Sequence, residues 1–569
     1  MNENNLILSW KKINTYIAGI FAVLILAVFP LAFRHFYFDI LTAKYQYYYV
    51  GVITTAVVMI MVALFFLYRD KHEYGGENIK RIIRTFSIRK LKAADWAMLA
   101  FVLMATISTS QSEYLYESFW GNEGRLGGLF LLLIYGVSYI VIVGCLRFKR
   151  WYLDAFLTAG ILACIIGILQ YFKFNPFGMK TGLEGNSQWI FTSTIGNVNT
   201  YTSYLSLLLG VGVVLFVQEN TRLRKIFYLV SASITMISLV MGISDNSYIA
   251  LIVLMGLLPL YLFTDLRGGK QYALLLSVLL TILILVGWVN QAIPDHVIGI
   301  EGLFRVITGF RWLPFIAAMM WGLTCILYIA DRKRDKPRSG KKCNTGRWIW
   351  LGILILAAVI LCAVLYDVNI RGNIERYGSL ENYLLFDDEW GTHRGYVWRI
   401  AIESYQRFPL HHKIFGYGPE TFGIMTVQNY LAEMGGRYYE KFDNAHNEYI
   451  QYLFTIGIAG LTAYLTLLVT SLREILRNAS KVPEIMGIAF ALVCYWAQAA
   501  VNLSTPIVTP IMLALMMVGI AAGRRGESTT LLEGGTESGS VGKSMLDKDQ
   551  RESDSGPRPE DAAAEKEEL

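Results

Sequence analysis

Charge is scarce in this sequence. Asp, Glu, Lys and Arg make up only 17% of its 569 residues, against 54% apolar residues, and its mean hydropathy is positive. That balance excludes a soluble enzyme of ordinary composition, whose water-facing surface needs more ionised groups. A small-x-small cleavage site is also missing after the first apolar run. The segment behind Lys11 and Lys12 is therefore expected to be a retained anchor rather than a signal peptide. Cysteine is absent from every stretch expected to face outward. The six cysteines, Cys145, Cys164, Cys325, Cys343, Cys362 and Cys494, fall in apolar segments or in basic connections. This removes external disulfides, cysteine nucleophiles and thiolate metal sites from the outer face.

Long apolar runs are abundant. A spanning helix needs roughly 20 mostly apolar residues at about 1.5 Å each to cross a hydrocarbon core of about 30 Å. By that measure about fourteen segments are placed, at 13–33, 47–68, 94–110, 127–146, 151–172, 200–217, 226–242, 247–264, 271–289, 310–330, 348–366, 446–470, 485–503 and 506–523. The runs are continuous rather than alternating, and lipid offers no partner to unpaired backbone groups. Helices are implied, not strands. The expected fold class is an all-α polytopic membrane protein with about 14 transmembrane helices and one large extracytoplasmic loop.

The net charge is +7, and its placement matters more than its size. Basic residues concentrate in alternate connections: 69–93, 147–150, 218–225, 265–270, 331–347 and 471–484. The positive-inside rule puts these in the cytoplasm with both termini, and puts 111–126, 173–199, 290–309 and 367–445 outside. The basic clusters then record topology, and no nucleic-acid partner is expected. The location expected is the inner (cytoplasmic) membrane, with membrane lipid as the surroundings. Residues 1–525 read as one polytopic domain. Residues 526–569, rich in Glu, Asp, Ser and Gly, read as a disordered acidic cytoplasmic tail.

The outer stretch 367–445 is about 79 residues long, an exception among short connections and hence a candidate functional loop. Thr392 is predicted to cap a helix whose apolar face carries Val397, Ile400, Ala401 and Tyr405 and which Pro409 ends. Arg394 and Trp398 lie one turn apart on it. The turn Gly416-Tyr417-Gly418-Pro419 reverses the chain. Aromatic residues of the loop, among them Trp390, Trp398 and Tyr417, suit either stacking on sugar faces or sealing the loop onto the membrane interface. The loop closes in FDNAHNEYIQYLFTIGIAGL, with His446 at the mouth of a span and Gly457 and Gly460 as a small-residue patch for helix packing. Asp443, Asn444, Asn447 and Glu448 surround that histidine, where they suit orienting an imidazole or binding an acceptor hydroxyl. Asn197 and Asn199, in STIGNVNTYTSYLSLLLG, either border a wet cavity or hydrogen-bond a neighbouring helix. Arg125, in FWGNEGRLGGLF, suits interfacial snorkelling as well as a site. The run Asp387-Asp388-Glu389 suits a solvated acidic turn better than a cation site.

The patches GNEGRLGG, IGNVNTYTSYL, HRGYVW, FGYGPETF and AHNEYIQYLFTIGIAGL, in this order over roughly 95–520, resemble the O-antigen ligase and O-antigen polymerase superfamily. The resemblance implies a glycosyltransferase that takes a glycan from undecaprenyl diphosphate to an acceptor hydroxyl on the extracytoplasmic side. It implies that Arg394 binds the donor diphosphate and that His446 acts as general base, inverting the anomeric centre without a metal or other cofactor. The family's arginine between two middle spans is missing, since the stretch here reads GISDNSYIAL. Arg125 and Arg305 are the candidate replacements, and Asn197, Asn199, Trp398, Tyr417 and Asn447 the candidates for shaping the site or receiving the acceptor. The acceptor is left open between lipid, cell wall and protein, so a polysaccharide polymerase and a protein O-oligosaccharyltransferase stand as alternatives. A solute transporter is the alternative of another class. It would need ionisable residues at mid-membrane and often internal repeats, and neither is evident.

Overall fold

The computed structural model describes residues 3–524 apart from 86–87, 123, 186 and 334–343. The tail assigned to 526–569, Cys343 and most of the 331–347 connection lie outside the described residues. Among those described, ten helices are long and apolar enough to cross a membrane. Four more apolar helices are shorter: Leu129–Cys145, Asn246–Leu262, Ile485–Ala499 and Thr509–Arg524. Each of the fourteen apolar segments falls on one of these helices. The only strands described are a two-residue antiparallel pair, with Phe191 opposite Asn197 and Thr192 opposite Gly196.

Two helices form the centre. Val198–Gln218 is buried along nearly its whole length, and the residues of Thr509–Arg524 are buried from Thr509 to Gly523. Small residues permit the close approach: a β-carbon at Gly210 would strike the backbone of Ala491, and one at Gly160 would strike Leu208. Such contacts matter in lipid, where helices associate by packing rather than by escaping water. The periphery is the reverse. Thr345–Asn369 exposes Ile353, Ile355, Leu356, Val359 and Ile360, as a helix whose solvent is hydrocarbon does.

The polar residues collect at the two ends. At one end Arg524 clamps Asp95 (Nη1 to Oδ1, 2.7 Å) and Glu474 (Nε to Oε1, 2.8 Å), Arg150 pairs with Glu219, and Lys270 pairs with Asp331. At the other, Tyr171 donates to Asn290 at 2.7 Å, Arg125 pairs with Asp443 at 2.7 Å, and Asn502 donates to the carbonyl of Asn199 at 3.1 Å. Connections that the charge pattern assigns to one side thus touch one another.

The long stretch after Asn369 folds into helices of its own, including Trp390–Arg407, Leu410–Phe415 and Phe422–Arg437. Tyr396, Val397, Ile400, Phe422, Met434 and Phe442 close them around a separate apolar core. The apolar face expected on the first helix is present, but the cap expected at Thr392 is not. Gly391, Thr392 and His393 take consecutive left-handed conformations (φ 63°, 61° and 67°), whereas a capping residue is extended.

The single helix expected at 446–470 is also corrected. The chain forms Glu448–Thr455, breaks at Ile456, and resumes as Gly457–Asn478. Gly457 holds φ 69°, and a β-carbon there would strike the carbonyl of Ile414. The glycine that suggested helix packing instead admits a foreign backbone.

Replacing Arg524 by Met should lower the thermal midpoint of the purified protein measurably. It leaves Asp95, with its side chain only 12% exposed, without a cation, a change that costs up to about 3–5 kcal/mol, while Glu474 keeps Lys92 at 3.4 Å. The exposed pair Arg69–Glu73 is the control: Arg69→Met should shift the midpoint little.

Candidate functional site

Two short segments meet between the outer helices and the bundle. The first begins the Trp390–Arg407 helix. Its three left-handed residues turn the chain so tightly that a β-carbon at Gly395 would strike the carbonyl of Asp387. Such strain persists only where surrounding contacts over-determine it. Here the amide of Tyr396 donates to the carbonyl of Asp388 at 3.1 Å, and Arg399 holds the Asp388 carboxylate at 3.0 and 3.2 Å. The acidic run is accordingly ion-paired: Arg437 also reaches Asp388 at 2.6 Å and Glu389 at 3.1 Å.

This turn aims Arg394 into a cavity of about 600 Å³. Asp245, Asn246, Tyr248, Tyr383 and Trp390 share its wall. One guanidinium nitrogen donates to the carbonyl of Gly391 at 2.6 Å, while Nε is buried without a hydrogen-bond partner. Burial pulls the Arg394 pKa down, and the charge of Asp245 opposes the shift. Burial likewise raises the Asp245 carboxyl, with Tyr248 and Arg394 opposing.

The second segment is Asp443–Asn447. His446 sits there with φ 47°, and every neighbour secures its backbone. Asn444 Oδ1 accepts the His446 amide at 2.8 Å, and Gln451 accepts the Ala445 amide at 3.0 Å. Trp398 Nε1 donates to the Ala445 carbonyl at 2.9 Å. Asn447 caps the following helix by accepting from the amides of Tyr449 and Ile450 at 3.0 and 3.1 Å. The imidazole is pushed down to about 4, first by burial and then by the charges of Arg394 and Arg125, with Asp443 opposing. Arg394, Arg125 and His446 therefore share one electrostatic neighbourhood, and the histidine is neutral at neutral pH.

The other candidates divide. Trp398 positions the histidine turn and packs against Trp390, with ring centres 5.2 Å apart and planes tilted by 52°. Asn199 accepts from Ser244 at 2.7 Å and Asn246 at 3.4 Å, so it anchors the wall of the cavity. Asn197 caps the central helix by accepting the Asn199 amide at 2.8 Å. Tyr417 stacks on His412 at 3.7 Å between ring centres, within the loop's own packing. Arg305 is exposed on the short helix Gly302–Thr308 and does not border the cavity.

Two acids, Asp245 and Glu420, escaped the reading of the sequence as site residues, whereas Glu448 was already expected among the polar neighbours of His446. Asp245 occupies the stretch where the family's arginine is missing. Glu448 is buried and Glu420 has its carboxyl tucked against Gly127, and both lie outside the helices long enough to span. Burial pushes each carboxyl up to about 7. The available signal for Glu420 was its place in GYGPE, directly after the glycine turn.

The fold and this site define a multi-pass helical membrane protein with an arginine lining a cavity at one end and a histidine in the electrostatic reach of that arginine. Residues 230–465, about two fifths of the chain, match the family model described as O-Antigen ligase. The match supports the O-antigen ligase superfamily and a membrane glycosyltransferase function of ligase or polymerase type, acting on lipid-linked glycans. It contains Arg394, Glu420 and His446. No curated protein matches the chain.

Gly457→Ala should destabilise the outer helices. It forces a side chain into a left-handed conformation, at about 1–2 kcal/mol, and into the Ile414 carbonyl. Limited proteolysis of the purified variant should cut within 370–445 sooner than in wild type, while Gly435→Ala, where a β-carbon meets nothing within 4 Å, should behave as wild type.

Proposed function

We propose that this protein transfers a glycan from undecaprenyl diphosphate to an acceptor hydroxyl on the extracytoplasmic face of the cytoplasmic membrane, by a single inverting displacement that requires no metal. The alternation of basic connections supports this orientation, since the positive-inside rule assigns the connections on the cavity's side to the outer face. The observation that carries the reading is the pairing of Arg394, with its unpartnered Nε in a cavity of about 600 Å³, with a neutral histidine held in a left-handed turn. The family match supports the donor class.

As the bond from sugar C1 to diphosphate oxygen breaks, negative charge grows on the leaving oxygen. A guanidinium stabilises it through paired charge-assisted hydrogen bonds. Arg394 supplies these donors, and Arg125, paired with Asp443 on the same side, adds a second positive charge. His446 takes the acceptor proton as oxygen attacks C1. Because burial and the two arginines keep it neutral, it enters the reaction as a base rather than as a phosphate-binding cation.

Arg394→Ala should weaken donor binding and turnover, and Arg394→Lys should remain impaired because it keeps the charge but loses the planar fork. Donor affinity and turnover equal to wild type in Arg394→Ala would remove the assignment. His446→Ala should bind donor but lose about 10²–10⁴-fold in single-turnover rate. The pH dependence follows from the sign of the shift. A base works only unprotonated, so kcat/KM should stay level from neutrality downward and fall only as pH approaches about 4. The diphosphate brings negative charge that raises the imidazole pKa, so the fall in kcat should begin at a higher pH.

Orientation is tested separately, in a variant without its native cysteines. A cysteine at Tyr439, 91% exposed, should react with an impermeant reagent in intact cells, and one at exposed Lys481 only after the membrane is opened. The reverse pattern would invert the assigned topology.

A further inference from the structure

Behind the turn that carries His446 lies a second chamber of about 40 Å³, enough for a water molecule or two. Glu420, Asn444, Glu448, Gln451, Ser504 and Thr505 give its walls their polar groups. Asn444 belongs to both places, since its Oδ1 holds the His446 amide while the residue borders the chamber. Two of the six are carboxyls, and both lack a cation of their own.

Glu448 is 2% exposed. Its Oε1 accepts from Tyr464 at 2.6 Å, and its Oε2 has no hydrogen-bond partner. The titratable groups facing it are the phenols of Tyr135, Tyr449, Tyr452, Tyr464 and Tyr495. Glu420 is fitted against Gly127, where a β-carbon would strike its carboxylate. The charges nearest it are Arg125 and Asp443, which pair with each other at 2.7 Å. Buried carboxyls cost free energy when ionised unless they are paired, and at a membrane mouth such groups mark proton paths.

We propose that this chamber is the proton outlet of the transfer reaction, in which water held between Glu420 and Glu448 carries onward the proton that His446 removes from the acceptor hydroxyl. The inference rests on the reading of His446 as base. The acceptor O–H bond breaks and its proton passes to the imidazole. The acceptor oxygen bonds to C1, and the C1–oxygen electron pair leaves with the diphosphate. The imidazolium then gives its proton through water to a carboxylate, and the resulting acid later loses it to solvent.

The direction of that hand-over follows from the electrostatics. An imidazolium beside Arg394 and Arg125 is disfavoured, and so is a buried carboxylate without a cation. Moving one proton from the first to the second relieves both. Burial raises both carboxyls and lowers the imidazole, so the two shifts favour the hand-over in the same direction.

The test compares first and later turnovers of the reconstituted full chain with purified undecaprenyl-diphosphate glycan and acceptor. Glu420→Gln and Glu448→Gln keep shape but cannot accept a proton. Each should retain a first-turnover burst close to wild type, while the steady-state rate falls roughly tenfold or more, the scale of a lost acid–base step. Formate or imidazole buffer should restore it. A folded double variant with the steady-state rate and pH profile of wild type would overturn the proposal. So would equal loss of first and later turnovers without buffer rescue, which marks a structural role. Should the variants not fold, a proton inventory on wild type in mixed H₂O and D₂O decides: a curved inventory supports several protons in transit, and a linear one overturns the relay. His446→Ala with an intact first turnover would instead sink the base assignment beneath it.

Discussion

The carbonyl of Thr455 accepts from the Gly418 amide at 2.8 Å and from the Ser108 hydroxyl at 2.8 Å. A helix that stops in apolar surroundings leaves carbonyls that cost several kcal/mol each if unmet, and here the outer segment and a neighbouring span meet one together. The contact requires backbone against backbone, and Gly416, Gly418 and Gly457 all have positive φ where the two chains touch. The position of the outer helices depends on it. So does the break that lets Glu448–Thr455 run separately from the long helix after it, and that break puts the histidine turn and the two buried acids beside one another.

Much of this was legible in the sequence because lipid imposes a coarse code. Apolar runs located the ten helices long enough to span and the four shorter apolar ones, and basic connections grouped by the charge pattern meet at one end. Arg394 and His446 were legible by resemblance, and the structure brings them into one electrostatic neighbourhood. What stayed hidden required knowing which backbones touch. Apolarity continues unbroken through Ile456, so periodicity cannot show that the helix stops there, and only the carbonyl of Ile414 explains Gly457. The left-handed turn at 391–393 was hidden for the same reason, because Thr392 before a helix reads as a cap wherever tertiary contacts are unknown. The Phe422–Arg437 helix was lost in a loop read for its glycines and aromatics. Asn447 illustrates a different ambiguity: a polar side chain beside a histidine serves backbone as readily as substrate, and here its oxygen is committed to two amides.

Positive charge dominates around the imidazole, since Arg394 and Arg125 both lower its pKa and Asp443 alone opposes them. Glu420 and Glu448 lie behind its turn. This arrangement keeps the imidazole neutral without a carboxylate in contact with its ring. Histidine bases are often oriented by a hydrogen bond to one ring nitrogen, but here the orientation comes through the backbone, from Asn444, Gln451 and Trp398. Among the described residues no side chain or backbone group hydrogen-bonds either ring nitrogen.

The burial of Thr509–Arg524 at the centre of the bundle has a consequence for assembly. The ribosome makes this helix after the spans 93–110, 457–478 and 485–499 that surround it, so the middle of the bundle stays unfilled until synthesis is far advanced. Its residues pack against Met98, Tyr135, Tyr464 and Leu467, and its Arg524 joins spans that begin and end hundreds of residues apart. The contacts that this helix makes at the centre therefore form only after the helices around it have been made.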